Sequence, residues 1–313
     1  MNTPKSSKSN SSKPIIATAL ISSLLHGSVA LAGENIQKKY HITKPKGHGV
    51  DVNVKLTEAS GLALSHSGKS LWTISDENKK YVFKMTLQGD PKDSESFKLL
   101  DYPYAQAGIE GICLSADGQY MYIVDETEFA IISIKITSGS LEAKVTSPPI
   151  KIKKLPGYKK KVTPYLLDKK NKGPEGITVH TGSGDIYVLI EQGRKNKKLG
   201  PLLVRIDNTL KEILEARVLT RDQGFIGVAQ DEAIDGSGID FDRTDVSRNR
   251  FYIVSDKGER VFLYDWDTNT GKVVRDLGYK HGEGIAYDPA GSTLYIVTDG
   301  GSKDDSKLYR YEK

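Results

Sequence analysis

The sequence predicts an all-β fold, a five-bladed β-propeller built from four-stranded antiparallel blades. One motif occurs five times: an acidic residue with Gly-Ile or Gly-Leu close behind it, then an aromatic strand that ends in a second acid. Gly, Asp or Asn turn formers separate the two parts, so each copy opens as a β-hairpin. The leading acids are 48 to 65 residues apart, mostly more than the ~40–50 residues of a four-stranded blade. A six-bladed ring is the alternative.

Two acidic sets define the five copies. The leading acids are Glu58, Glu110, Glu175, Asp235 and Glu283. The acids that end the aromatic strands are Asp76, Glu126, Glu191, Asp256 and Asp299. In every copy the aromatic residue lies four positions before the second acid. Self-similarity of this kind is the sequence signature of a repeat architecture.

The ring must also close. The fifth copy contains three strand-like runs, whereas alternating apolar residues at Val52, Val54 and Leu56 precede the first copy. We therefore expect residues 51–56 to supply the outer strand of the last blade and to remove an exposed sheet edge. Residues 51–313 are predicted to form one propeller domain after a linker at 33–50. A mildly helical composition at 209–217 is the one local alternative to strands.

The first 32 residues resemble a secretory signal peptide. Lys5, Lys8 and Lys13 precede a largely apolar run over residues 14–32, which ends in a small-x-small pattern at Ala32. We expect cleavage after Ala32 and an exported protein, either periplasmic or secreted. The alternative is an uncleaved membrane anchor that leaves the domain facing outside the cytoplasm.

Charge and cysteine usage narrow the function classes. The net charge of +5 falls to +2 when the three lysines of the N-terminal segment are removed. This balance does not suit a nucleic-acid partner, because such domains are usually strongly basic. Cys113 is the single cysteine, so no intramolecular disulfide can form. We expect a monomer.

The leading acids are the predicted metal ligands. The innermost strand of each propeller blade lines the central channel, so these five carboxylates should form a ring near one mouth. Mutual repulsion requires a compensating cation, donor or proton. Calcium suits a site of carboxylate and carbonyl oxygens. The structural alternative is a set of latches, in which each acid accepts backbone N–H groups of a neighbouring blade.

The second acidic set is assigned as ligand-binding, with turn and loop capping as its structural alternative. No catalytic residue is assigned. Ser237 lacks the Gly-x-Ser-x-Gly elbow of a serine nucleophile. The histidines show no zinc-binding spacing.

Basic residues concentrate at 151–172 and 194–198. An anionic small molecule or polymer is a candidate ligand for these loops, and a protein partner is the other candidate for the domain. Solvated loops that serve solubility are the alternative. The N-terminal segment could also bring the protein to a membrane.

The motifs together resemble the SdiA-regulated family of bacterial propellers. The resemblance rests on the Glu-x-Ser-Gly-Leu opening at Glu58, the repeated Glu-Gly-Ile, the Leu-Tyr-Ile-Val-x-Asp strands and the closing Lys-Leu-Tyr-Arg-Tyr at Lys307. The chain is more distantly similar to esterase-like phytase, NHL and gluconolactonase-type propellers. The resemblance implies a five-bladed propeller, an extracytoplasmic or membrane-associated location and a bound calcium ion, but no established reaction.

Two hypotheses of function follow. The first is a non-catalytic calcium-binding propeller that acts as a recognition or scaffold module in the cell envelope. The alternative is a calcium-dependent hydrolase of phosphoesters, esters or lactones, similar to esterase-like phytases. Such an enzyme needs an open coordination position and a base near it. Phytase-like catalysis would also bring basic side chains to the acidic cluster.

Overall fold

Five sheets surround one axis. The computed structural model describes residues 34–35, 39–42, 52–77, 80–100, 102–104, 108–136, 143–146, 148–166, 173–191, 200–228, 234–299 and 306–312. The sheets follow one another in chain order, and their innermost strands contact each other cyclically. The predicted all-β, five-bladed β-propeller is therefore confirmed, with five blades rather than six. The predicted signal peptide at 1–32 lies outside the described residues.

Each motif copy forms the inner part of one blade. The innermost strands are β4 (Ala59–Leu64), β8 (Ile109–Leu114), β13 (Pro174–Val179), β17 (Gly238–Phe241) and β21 (Gly282–Asp288). The second strands are β5 (Ser70–Ser75), β9 (Tyr120–Asp125), β14 (Ile186–Ile190), β18 (Arg250–Ser255) and β22 (Thr293–Thr298). The third strands are β6 (Tyr81–Thr86), β10 (Ala130–Lys135), β15 (Leu202–Ile206), β19 (Arg260–Asp265) and β23 (Lys307–Glu312).

Outer strands complete the blades. Blades one to four end in β7 (Phe97–Leu100), β12 (Ile150–Lys151), β16 (Ile213–Val218) and β20 (Thr270–Asp276). Strand β11 (Ala143–Lys144) adds a parallel fifth strand to blade one. The helical alternative for residues 209–217 is wrong, because β16 pairs along β15. Within the described residues, helix is limited to α1 (Tyr158–Lys161) and 3-10 turns, and no helix there is long and apolar enough to cross a membrane.

An N-terminal strand closes the ring, but it is not the predicted one. Strand β1 (Glu34–Asn35) pairs antiparallel with β23, with Glu34 opposite Leu308. The prediction that residues 51–56 close the ring is wrong: β3 (Val52–Lys55) pairs with β2 (Lys39–Ile42) in a separate two-stranded sheet. Apolar alternation indicates a strand, but it does not identify the strand's partner.

Five hydrophobic clusters hold the blades together, one at each interface between neighbouring blades. The aromatic residues of the second strands pack there. Tyr187 packs against Phe251 with 4.4 Å between ring centroids, and Tyr252 packs against Tyr287 at 4.6 Å, both pairs with tilted rings. The cluster between blades five and one includes Leu56 and Leu308. Burial of apolar surface therefore stabilises every junction of the ring, including the closing one.

Glycines allow the innermost strands to meet at the axis. Each innermost strand contributes one member to this glycine ring, which consists of Gly61, Gly111, Gly176, Gly238 and Gly284. A Cβ atom on Gly284 would lie 2.4 Å from the carbonyl oxygen of Ser60 and 2.6 Å from the backbone nitrogen of Leu62. The space left between the strands is about 10 Å³, room for no more than about one water molecule. The glycine ring therefore plugs the central channel.

We expect Gly284→Ala to destabilise the protein by about 3 kcal/mol, because the added methyl group would collide with backbone atoms that cannot move independently. Gly68→Ala is the matched control. At Gly68 (φ +69°) a Cβ meets nothing within 4 Å, so only the left-handed backbone penalises alanine, by about 1 kcal/mol. Chemical denaturation measures both changes. Equal losses would show that the contact across the axis is not tight.

A candidate metal centre at the acidic mouth

One mouth of the propeller is acidic. A cavity of about 320 Å³ opens there, and all ten acids of the two predicted sets line it. Ser60, Ser237 and Lys257 complete its wall. We call this cavity the acidic mouth. The structure thus brings together the two acidic sets that the sequence predicted separately.

The five leading acids occupy two kinds of position. Glu110, Glu175 and Glu283 directly precede a member of the glycine ring, whereas Ser60 and Ser237 hold that position in blades one and four. Glu58 and Asp235 lie two residues earlier in their blades. The inner rim of the mouth therefore carries three glutamates and two serines, and it departs from the five equivalent carboxylates that the repeat suggests.

β-Bulges aim the three inner glutamates. In blade two, Ile109 pairs with Asp125 and Gly111 pairs with Val124, so that Glu110 is the extra residue on its strand. The same shift occurs at Glu175 in blade three and at Glu283 in blade five. A bulge bends its strand and redirects a side chain. The bulges therefore explain why these three carboxylates point into the mouth, although the neighbouring residues on the same strands pack between blades.

Burial and crowding raise the pKa values of these acids. Burial is the main cause of a pKa well above the usual 4.5 for Glu110, Glu175 and Glu283, and neighbouring carboxylates add to it. The pKa of Glu58 is raised for the same two reasons, and Glu77 and Asp76 are the carboxylates that contribute most after burial. In the absence of a cation the mouth therefore favours protons on part of its carboxylates.

Three carboxylates converge closely enough to share one ion. Oxygen atoms of Glu126, Glu175 and Glu191 all lie within 4.8 Å of one another. Two oxygens bound at about 2.4 Å to the same calcium ion are separated by at most about 4.8 Å. The donor set consists of hard oxygen atoms, which calcium prefers. The residues present fit a calcium ion.

This trio draws on both predicted sets. Glu175 is a leading acid, whereas Glu126 and Glu191 directly follow the second strands of their blades. Their backbone N–H groups donate to the carbonyl oxygens of Gly108 and Gly173 and so hold the strand ends in place. The sequence predicts metal ligands among the leading acids alone, whereas this candidate trio combines one leading acid with two strand-ending acids.

Several acids of the mouth accept hydrogen bonds: the leading acid Asp235 does so within its own blade, whereas two strand-ending acids reach the next blade. The Asp235 carboxylate accepts hydrogen bonds from Ser255 Oγ at 2.7 Å and from the Lys257 backbone at 3.0 Å. Glu126 Oε1 accepts the backbone N–H of Gly173 in the next blade at 3.3 Å. Asp256 accepts the backbone N–H of His281, also in the next blade. Capping and ion binding can therefore coexist around the mouth.

Lys257 is the functional candidate that the sequence analysis missed. Its Nζ atom lies 3.0 Å from Asp235 Oδ2 and 3.1 Å from Glu191 Oε1, while 44% of its side chain stays exposed. Burial lowers the pKa of Lys257, but the attraction of Asp235 and Glu191 outweighs burial and raises it overall. One signal was available: Lys257 is the one basic residue that directly follows a strand-ending acid.

Residues 55–227 match a family model described as phytase-like, esterase-like activity of phytase. The chain belongs to this phytase-like family. The matched region contains the Glu126, Glu175 and Glu191 trio, whereas Lys257 and Glu283 lie beyond it. The relation to the SdiA-regulated family stays a prediction.

Two solved structures are similar to this chain at low identity. A luciferin-regenerating enzyme is 14% identical, with a TM-score of 0.45, over 82% of this chain and 92% of that chain. A structural-genomics protein of unknown function from Bacteroides thetaiotaomicron is 14% identical, with a TM-score of 0.48, over 84% of this chain and 61% of that chain. No match was found among curated protein sequences.

We expect the metal-free protein to become less stable as pH rises above about 4.5 and towards the raised pKa values of the buried glutamates. In this range the folded state keeps protons on these carboxyl groups that the unfolded state releases, so rising pH favours unfolding. Glu283→Gln should stabilise the metal-free protein at pH 8 and flatten this dependence. Thermal unfolding between pH 5 and pH 8 in a chelator measures both effects. The exposed Glu212 provides the control Glu212→Gln; an equal response of the two variants would contradict the electrostatic account.

Proposed function

We propose that the protein is a calcium-dependent hydrolase of phosphoesters and that the acidic mouth is its active site. The observation that carries the proposal is the convergence of carboxylates from all five blades with one amine, Lys257, around an open cavity. Phytase-like catalysis is expected to need basic side chains next to an acidic cluster. Lys257 supports the hydrolase over the recognition module, and so does membership of the phytase-like family.

Ion binding follows from the charge of the mouth. Glu126, Glu175 and Glu191 would hold the first ion, and acids of the mouth other than Glu283 would provide oxygen donors for a further ion. Bound calcium would polarise a phosphoryl oxygen and activate a coordinated water molecule. Bound calcium would also neutralise the carboxylates, which would otherwise repel a negatively charged phosphoester from the cavity.

The protein's own side chains have separate tasks in this proposal. Lys257 would bind the phosphate oxygens of the substrate, because its half-exposed ammonium group reaches into the mouth. Glu283 is our candidate for the group that protonates the leaving oxygen. Its raised pKa keeps a proton on the carboxyl group at a pH where an ordinary glutamate has lost it.

A calcium-binding recognition or scaffold module in the cell envelope is the second candidate. The hydrogen bonds of Glu126, Asp235 and Asp256 to backbone and hydroxyl donors favour it, since such latches need no reaction. Either function fits an exported protein, which the N-terminal sequence pattern supports. The two candidates differ in turnover and not in calcium binding.

We expect calcium to bind the chelator-treated protein, and we expect hydrolysis of an aryl phosphate to require calcium. Glu175→Gln should weaken calcium binding at least about tenfold, because the site loses one negative charge and one carboxylate oxygen. Glu128→Gln is the control, because Glu128 pairs with Lys151 outside the mouth. Calorimetry and a phosphate-release assay measure the two effects. Calcium binding without turnover on phosphoesters would favour the recognition module, and absence of binding would overturn both candidates.

We expect Lys257→Met to raise KM for the aryl phosphate about tenfold, because a charge-assisted hydrogen bond to the substrate is lost. The same change removes a competitor for Glu191, so calcium affinity should stay equal or rise. Steady-state kinetics and calorimetry on one variant separate the two effects. A parallel loss of calcium affinity would show that Lys257 supports the ion site rather than the substrate.

A further inference from the structure

A second cavity lies at the other end of the propeller axis. Its volume is about 390 Å³, within the ~300–1,000 Å³ range of small-molecule sites. All five blades line it, through residues 64–68, 114–116 and 288–290, together with Thr181 and Arg243. We call it the opposite mouth. The glycine ring separates it from the acidic mouth, so the two cavities are independent.

Arg243 is held rigidly at this cavity. Its Nη1 and Nη2 atoms donate to the two carboxylate oxygens of Asp240, each at 2.8 Å. Asp240 is fixed in turn by the backbone N–H groups of Phe241 at 2.9 Å and Tyr287 at 2.8 Å. Backbone groups of blades four and five therefore fix Asp240, and Asp240 fixes the guanidinium group of Arg243.

One edge of the guanidinium group stays available. Pairing with Asp240 uses its two terminal nitrogens, and Nη1 also lies 3.4 Å from the carbonyl oxygen of Tyr287. Among the described residues no acceptor contacts Nε. An arginine has five N–H donors, and its Nε edge can bind a carboxylate with two parallel hydrogen bonds. The Arg243 side chain is 26% exposed, and the opposite mouth is the cavity that reaches it.

Thr181 lines the same cavity as Arg243. Its hydroxyl oxygen is shielded from solvent and has no hydrogen-bond partner within the described part of the chain. A ligand atom in the cavity cannot reach an oxygen that water cannot reach, so Thr181 contributes only to the wall and Arg243 supplies the hydrogen-bond donors.

The wall of the cavity carries both signs of charge. Asp240 compensates Arg243, and Asp288 adds a further carboxylate to the wall. The Asp288 carboxylate accepts the backbone N–H of Ala290 at 3.0 Å and has oxygen lone pairs left. Asp288 follows Tyr287, whose carbonyl oxygen lies 3.4 Å from Arg243 Nη1. This arrangement suits a ligand that carries both charges.

We propose that the opposite mouth binds a small zwitterion, namely an α-amino acid with an apolar side chain. Its carboxylate would occupy the free edge of Arg243, and its ammonium group would face Asp288. Leu64, Leu114 and Pro289 supply an apolar wall for the side chain. The site requires neither calcium nor the chemistry of the acidic mouth.

The test uses three related ligands with the chelator-treated protein. Leucine carries both charges, 4-methylpentanoate lacks the amine, and isoamylamine lacks the carboxylate. We expect leucine to bind, and each truncated ligand to bind at least about tenfold more weakly, because each loses a charge-assisted contact. Calorimetry or ligand-observed NMR measures the three affinities. No detectable leucine binding up to about 10 mM, or equal binding of all three ligands, would overturn the proposal.

Variants of the site sharpen the test. Asp288→Asn should weaken leucine binding and strengthen 4-methylpentanoate binding, because the repulsion of its carboxylate disappears. Thr181→Val should leave leucine binding unchanged, because the shielded hydroxyl makes no contact with the cavity. Arg243→Lys should weaken leucine binding, because a lysine cannot offer two parallel hydrogen bonds. Lys257→Met in the acidic mouth should leave leucine binding unchanged; a change there would assign the binding to the wrong cavity.

Discussion

The close approach of five strands at the axis is the constraint on which the rest of the structure depends. No side chain fits where the innermost strands meet, so each strand carries glycine at that level. The residue before the glycine then lies at the rim of the mouth, and a bulge turns it inward in blades two, three and five. The same contact that packs the blades also creates the crowd of carboxylates.

That crowd is unfavourable in a protein without bound ions. Buried glutamates with raised pKa values destabilise the folded state near neutral pH, as the linkage between protonation and folding requires. Five apolar interfaces between blades compensate for this cost. The acidic mouth is therefore a place where stability is sacrificed, as is common at sites of chemistry.

The sequence predicts the blades well because each motif copy is a local hairpin. Turn formers and alternating strands lie within about twenty residues of one another, so local pattern suffices. The partner of an outer strand is a long-range property, and residues 51–56 were placed on the wrong sheet for that reason. The strand β1, which does close the ring, is two residues long and has no readable period.

The candidate site shows the same division. The ten acids were predictable because they repeat, whereas Lys257 occurs once and breaks the repeat. Glu110 directly precedes its ring glycine, whereas Glu58 lies three residues before its own, and this difference places the two side chains differently in the mouth. The difference has no visible meaning in the sequence until the glycine ring is known. The opposite mouth could not be foreseen, because Arg243, Thr181 and Asp288 come from three different blades at positions that the repeated motif does not cover.

Closure by β1 has a consequence for how the ring assembles. The outer strand of blade five, β1, precedes blade one in the chain, and its partner β23 follows the other four blades. Until β1 pairs with it, β23 is an open sheet edge that can pair with another chain. Two incompletely folded molecules could exchange their β1 strands and form a swapped dimer. The β1 strand must therefore remain unpaired while four blades assemble, and its pairing with the final blade closes the ring.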